Sequence, residues 1–327
     1  MLNQPAGGLP ALAGSYVDTY EYMERVREGM SPAVICVACN GGVQGKESCE
    51  ALPETADEIA DSVYGAYRAG ASIVHVHARK PDNITEPATT AEEWWSVNSK
   101  IRERCPDIII NNTTGGGLTS TMQDRLSCLE AKPELASLNL TPDMSRFRLK
   151  ERKAPLPNPR GPIEFDDCIP FTYRLVGDFA RAMQAKGIKP ELETYHSGGA
   201  WVIRDLIEQG LLSAPYFIQT VMGYQTSSFP TPDNVISLLR ELPPGALWLC
   251  SGIGPFQLPM TTFALLLGGH VRVGLEDNLY LKRGQKFKSN AQAVERTVRI
   301  THELNREVAT PAQAREMLGI AAVPSRY

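Results

Sequence analysis

His75 and His77 stand two positions apart in Ala71-Ser-Ile-Val-His-Val-His-Ala-Arg-Lys80, so two of the chain's five histidines share one short apolar run. If residues 72–77 form a strand, its two-residue period turns both imidazoles to one face. Two such rings can grip a metal ion, or they can form a hydrogen-bonded pair inside a barrel. Glu276, in Val273-Gly-Leu-Glu-Asp-Asn278, offers a third ligand. A carboxylate with two neutral imidazoles is a common catalytic zinc set that leaves a fourth position for substrate. Iron or manganese suits the same donors. His196 competes for the third place because it too ends a strand candidate. His270 begins a strand and His302 falls on a terminal helix, so both read as structural.

Other residues around these could handle an acid. Thr113-Thr-Gly-Gly-Gly117 offers hydroxyls and backbone N–H groups that suit a carboxylate, which makes Thr113, Thr114, Gly115 and Gly116 candidate substrate contacts. The competing reading is a flexible turn. Arg272 can fork onto a carboxylate, and Asp277 beside Glu276 can serve as a base whose protonation depends on metal and guanidinium. Ser251-Gly-Ile-Gly-Pro255 could meet a phosphate through its backbone. Cys36-Val-Ala-Cys39 has redox or chelating spacing, but it ends a strand candidate, where positions three apart face opposite ways. It opens no helix and has no second pair to complete a thiolate site, so packing is the better reading.

Positioning these groups falls to a regular alternation. Strand candidates centre near residues 34, 73, 109, 137, 191, 217, 247 and 271, separated mostly by helical segments. Thr55 with Glu58 has the spacing of a capping box ahead of a helix. Eight such units in this length predict a closed (β/α)8 TIM barrel over residues 32–327. An N-terminal extension, 1–31, precedes it, and Gly7-Gly-Leu-Pro10 there suggests irregular backbone. Residues 141–170, rich in Pro, Arg and Asp, read as an insertion after strand 4, a lid or partner-contacting loop. A doubly wound open sheet is the alternative, but no dinucleotide-type glycine fingerprint follows the first strand. A barrel gathers its chemistry at the carboxyl ends of its strands, and there lie Asn40, His75, His77, Thr113, Asn139, Thr141, Glu191, Glu193, Arg272, Glu276 and Asp277.

A formal net charge of -4 gives no electrostatic case for nucleic acid. The basic clusters at 150–153 and 282–288 are short, though either could meet a polyanionic substrate or cofactor. No apolar run reaches membrane-spanning length, and the start shows no signal-peptide pattern. Seven scattered cysteines, an odd number, fit reduced thiols in a cytoplasmic protein.

Taken together, Leu52-Pro-Glu-Thr, Gly70-Ala-Ser-Ile-Val-His-Val-His-Ala-Arg79, Thr113-Thr-Gly-Gly-Gly, Gly269-His-Val-Arg-Val-Gly-Leu-Glu-Asp-Asn278 and Val308-Ala-Thr-Pro-Ala-Gln-Ala-Arg-Glu-Met-Leu-Gly319 make the chain resemble the β-keto acid cleavage enzyme family, founded on 3-keto-5-aminohexanoate cleavage. The resemblance runs from about residue 32 to 320. It implies a zinc-dependent barrel, a homotetramer, that turns a β-keto acid and acetyl-CoA into acetoacetate and a new acyl-CoA. By motif it assigns the metal to His75, His77 and Glu276, and substrate activation to Arg272 and Asp277. It assigns substrate holding to Thr113, the glutamate after the fifth strand to Glu191 or else Glu193, and a polar residue after strand four to Thr141. In members with aminated substrates the first loop can carry an acid. Here it reads Asn40-Gly-Gly-Val-Gln-Gly-Lys-Glu47, so either Gln44 replaces the acid or Glu47 supplies it from a shifted loop. A metal-dependent aldolase or hydrolase that needs no acetyl-CoA is the runner-up.

Overall fold

The computed structural model describes residues 16–117 and 120–327; the Gly7-Gly-Leu-Pro10 stretch lies outside them. Eight parallel strands close into a ring: β1 Ile35–Ala38, β2 Ile73–Val76, β3 Ile109–Asn112, β4 Leu135–Asn139, β5 Lys189–Thr194, β6 Tyr216–Met222, β7 Ala246–Gly252 and β8 His270–Val273. Each pairs with its sequence neighbours, and β8 closes onto β1 through Ile35 opposite Val271 and Cys36 opposite Arg272. This is the expected TIM barrel, with an element before it and an insertion after β4.

Strand parity sorts the side chains into two environments. Outward residues such as Val74, Val76, Ile110 and Leu138 join the apolar layer shared with the helices. Inward residues Val34, Cys36, Ile73, Ile109, Leu135, Phe217, Leu247 and Leu249 fill one end of the barrel, together with Ala314, Met317 and Leu318 of the last helix, Pro311–Leu318. Cys36 and Cys39 consequently fall into different apolar clusters, as strand parity requires of positions three apart. Further along the same strands the inward positions turn polar: His75, Asn111, Ser137, Glu191, Gln219, Ser251 and Arg272 are all buried. That change from apolar to polar within one barrel sets apart the end that holds the candidate site.

Local signals set the helices. Thr55 and Glu58 form the expected capping box on Ala56–Arg68, and Thr90 with Glu93 repeats it on Ala91–Arg104. The segment between β3 and β4 is not one helix. Met122–Leu126 passes into a 3-10 turn, Ser127–Ala131, which ends on Lys132 at φ 48. The insertion is an antiparallel hairpin in which Asp143–Leu149 pairs with Ile163–Ile169. The Gln225 amide clamps it, accepting from the Arg146 N–H at 2.6 Å and donating to the Arg146 carbonyl at 2.7 Å. No helix among the described residues is long and apolar enough to cross a membrane.

Candidate active site

His75 is the last-but-one residue of β2 and His77 lies just beyond it, so parity alone directs both rings inward. Their Nε2 atoms lie 3.3 Å apart. Glu276 Oε1 stands 3.3 Å from the His77 Nε2 and 3.7 Å from the His75 Nε2. Tetrahedral coordination with metal–ligand bonds of about 2.0–2.1 Å puts neighbouring donors roughly 3.3 Å apart, which matches this spacing. Burial, with Arg272 and His77 adding to it and Glu276 opposing, holds the His75 imidazole well below its usual range, so its ring is neutral with a lone pair free to ligate. Glu276 Oε2 is buried with no hydrogen-bond partner. Two imidazoles and a carboxylate converging in this way fit a divalent ion.

Backbone geometry makes this convergence possible. Gly274, at φ +138, turns the chain after β8 so that Glu276 comes back over the barrel; a Cβ there would lie 2.1 Å from the Ala38 carbonyl oxygen. At Gly42 a Cβ would lie 2.4 Å from the Gly116 carbonyl oxygen and 2.8 Å from His77 Nδ1, so the first and third loops touch only because it is absent. Asn40 fixes the His77 peptide from both sides, donating to its carbonyl at 2.7 Å and accepting from its N–H at 3.2 Å.

Arg272 gathers the acids. It reaches Asp277 with a two-pronged contact, Nε to Oδ2 at 3.0 Å and Nη2 to Oδ1 at 2.8 Å. Nη2 also meets Glu276 Oε1 at 2.6 Å, and Nη1 meets Glu193 at 3.3 Å. Burial raises the Glu276 carboxyl, but Arg272 and then the two imidazoles outweigh it and hold the group well below the usual range. For Asp277 burial prevails over Arg272, and its carboxyl is raised. Burial likewise pushes Glu191 up to about 7 and Glu193 up to about 8, against the pull of Arg272. A cation among these acids would draw every one of them toward the ionised form.

A cavity of about 480 Å³ opens over this centre. His75, His77, Thr113, Gly115, Gly116, Arg272, Glu276 and Asp277 all line it. Three other candidates stand outside that lining. Thr114 turns away: its hydroxyl donates to the Ser137 carbonyl at 2.6 Å and so anchors the loop. Thr141 is buried, and its Oγ1 has no partner. Glu191 points inward one layer deeper, where it accepts from Asn111 at 2.5 Å and lies 3.8 Å from His75 Nδ1, while Glu193 lines the cavity. His196 accepts from the Gly198 N–H at 3.1 Å, beside a helix start. His270 Nδ1 accepts from the Val34 N–H at 3.0 Å, at the opposite end of β8 from Glu276.

In the first loop, Gln44 faces the cavity, whereas Glu47 is held by Arg152 at 2.7 Å and Arg160 at 2.9 Å. Glu47 is therefore a structural anchor for the hairpin. The glycine loop is less open than its composition suggests. The Gly115 N–H donates to Thr113 Oγ1 and the Gly117 N–H to Ser120 Oγ, both at 2.9 Å. Thr113 accepts within the loop, which leaves its own hydroxyl hydrogen for a ligand. Sequence reasoning missed Asn111, Asp143, Ser145 and Tyr224. Inward parity on β3 was a signal for Asn111; the others meet only across the fold.

Residues 32–320 match the profile of the beta-keto acid cleavage enzyme family. The chain is 34% identical over 293 residues to a 3-keto-5-aminohexanoate cleavage enzyme of Fusobacterium nucleatum subsp. nucleatum, covering 89% of this chain and 99% of that protein. It is 32% identical over 297 residues to a 3-oxoadipate:acetyl-CoA acetyltransferase of Cupriavidus necator, covering 89% and 96%. Among solved structures the apo form of ObcA superposes with a TM-score of 0.63 at 19% identity, over 83% of this chain and 66% of that one, a likeness of fold. Matched along nearly its whole barrel, the chain belongs to the β-keto acid cleavage enzyme family.

Proposed function

We propose that the chain is a zinc-dependent transferase that converts a β-keto acid and acetyl-CoA into acetoacetate and a new acyl-CoA, with residues 32–327 as its catalytic unit. The observation that carries the reading is the convergence of His75, His77 and Glu276 beside the Arg272–Asp277 contact in one cavity. Two relatives support it: one is a 3-keto-5-aminohexanoate cleavage enzyme, the other a 3-oxoadipate:acetyl-CoA acetyltransferase. When bound, the metal supplies Lewis acidity that lowers the cost of an enolate.

The chain's own groups do the rest. The Thr113 hydroxyl donates to the substrate carboxylate, with Gly115 and Gly116 letting it approach the loop. Asp277, ionised and oriented by Arg272, takes a proton from C2. C2 then bonds to the acetyl carbonyl carbon and the CoA thiolate leaves. That thiolate adds to the former ketone carbon, the C2–C3 bond breaks, and Asp277 returns its proton to C2 of acetoacetate. Glu191, held by Asn111, supports the ring of His75, and Glu193 steadies Arg272.

The same reading includes a homotetramer acting in the cytoplasm. Trp201 and Phe229, 67% and 80% exposed, leave apolar surface that an assembly would cover, and all seven cysteines are free thiols. The test is product analysis on a panel of β-keto acids with and without acetyl-CoA. Acetoacetate and acyl-CoA in equal amounts, only when acetyl-CoA is present, is the expected result. Substrate consumption without any CoA ester would instead favour a metal-dependent aldolase or hydrolase.

A further inference from the structure

The mechanism leaves one buried carboxylate of the cavity without a task. Asp143 opens the hairpin, is 7% exposed, and lines the same cavity as His75 and Arg272. Its Oδ2 accepts from the Ser145 hydroxyl at 2.8 Å and from Tyr224 at 3.4 Å. Its Oδ1 is buried with no close hydrogen bond, although the Thr226 hydroxyl also acts on the carboxyl. No cation touches it directly. Arg125, packed behind Gly116, acts on Asp143 through its charge but makes no ion pair with it, and Arg148 pairs with Glu164 at 3.2 Å. The other carboxylates lining the cavity, Glu193, Glu276 and Asp277, all contact Arg272. Asp143 is therefore the one lining acid, among the described residues, that Arg272 does not contact.

Aromatic rings continue from it along the wall. Tyr195 lies 5.5 Å from Tyr224 between centroids, Tyr224 lies 6.4 Å from Phe147, and Phe147 lies 6.4 Å from Phe165. All four line the cavity. A carboxylate oxygen and ring faces both favour positive charge, and the favour grows where water is excluded. A neutral apolar tail would leave Oδ1 unpaired, and an anionic one would be repelled.

We propose that the β-keto acid carries a cationic group, an ammonium or quaternary ammonium, on the side chain beyond its ketone, and that Asp143 with the Tyr195–Tyr224–Phe147 wall receives it. This rests on the β-keto acid reading and names the class of substrate within it. The first loop supplies no acid to the cavity; the hairpin does so from another direction.

The test uses carboxylates that cannot react, so it stands apart from turnover. Calorimetry on the full chain, as purified and with zinc added, compares 4-(trimethylammonio)butanoate with its uncharged isostere 5,5-dimethylhexanoate, and 4-aminobutanoate with pentanoate. The cationic member of at least one pair binds roughly tenfold tighter, and the pair that shows it tells quaternary from primary ammonium. Asp143→Asn, which keeps shape and hydroxyl contacts, removes that preference, and Phe147→Leu reduces it; melting temperature verifies that each variant is folded. Equal or tighter binding of the neutral members in both pairs, or an undiminished preference in folded Asp143→Asn, overturns the proposal. Cation preference without CoA-dependent turnover upholds the subsite and removes the cleavage reading alone.

Discussion

Arg152 grips Glu54 through two parallel hydrogen bonds, Nη1 to Oε1 at 2.7 Å and Nη2 to Oε2 at 2.9 Å, with its side chain fully buried. The same Nη1 meets Glu47, so one guanidinium ties the hairpin to the first loop and to the start of the first outer helix. Removing it would leave Glu54 buried without its cation and Glu47 with Arg160 alone. Arg152→Met is therefore expected to cost about 3–5 kcal/mol, and Arg152→Lys, which keeps the charge but loses the fork, less. Urea unfolding gives the magnitude. Limited proteolysis should show faster cutting within 143–169; unchanged cutting and stability would mean that other contacts hold the hairpin.

The metal reading predicts a coupled loss. Glu276→Gln keeps the side chain's size but removes the charge that two imidazoles and a divalent ion share, so zinc content and turnover should fall together, turnover by about 100-fold or more. Chelation of the native protein should lower its melting temperature, and added zinc should restore it, because an ion that binds only the folded state stabilises it by mass action. Full zinc stoichiometry in Glu276→Gln would remove Glu276 from the ligand set.

How much of this was legible beforehand depended on distance along the chain. The histidine pair, the Thr55–Glu58 box and the alternation of strands and helices are local patterns, written within a few residues. Parity does not separate Glu191 from Glu193, since both point inward; only register puts them in different layers, with Asn139 opposite Glu193 and Ser137 opposite Glu191. Thr113 and Thr114 differ by a single step of the same alternation. Asp143 and Tyr224 are 81 positions apart, and Arg152 and Glu54 are 98 apart. Only closing the barrel and laying the hairpin across it makes such neighbours.

Asp277 separates chemistry from metal binding. Its carboxylate faces Arg272 and not the imidazoles, so Asp277→Asn should retain zinc while slowing exchange of the C2 protons of a β-keto acid by about 10²–10⁴-fold. Exchange followed in deuterated buffer without acetyl-CoA isolates this step. Exchange at the native rate would assign proton removal to another group, with Glu193 next in reach of Arg272.

His270 gives a stability prediction away from the site. Burial, helped by the charge of Arg306, lowers its imidazole to about 3, against about 6.5 in an unfolded chain. A group with a depressed folded value takes up its proton on unfolding, so its contribution is complete above pH 6.5 and is lost as pH falls toward 3. Glu191 and Glu193 run the other way, because their raised values favour the folded state at low pH. Comparison with His270→Gln cancels those terms, since the amide oxygen can still accept from the Val34 N–H. Between pH 6 and 4.5 the native protein should lose stability faster than the variant, by about 1.4 kcal/mol per pH unit. Parallel curves from urea titrations would show that His270 does not take up that proton.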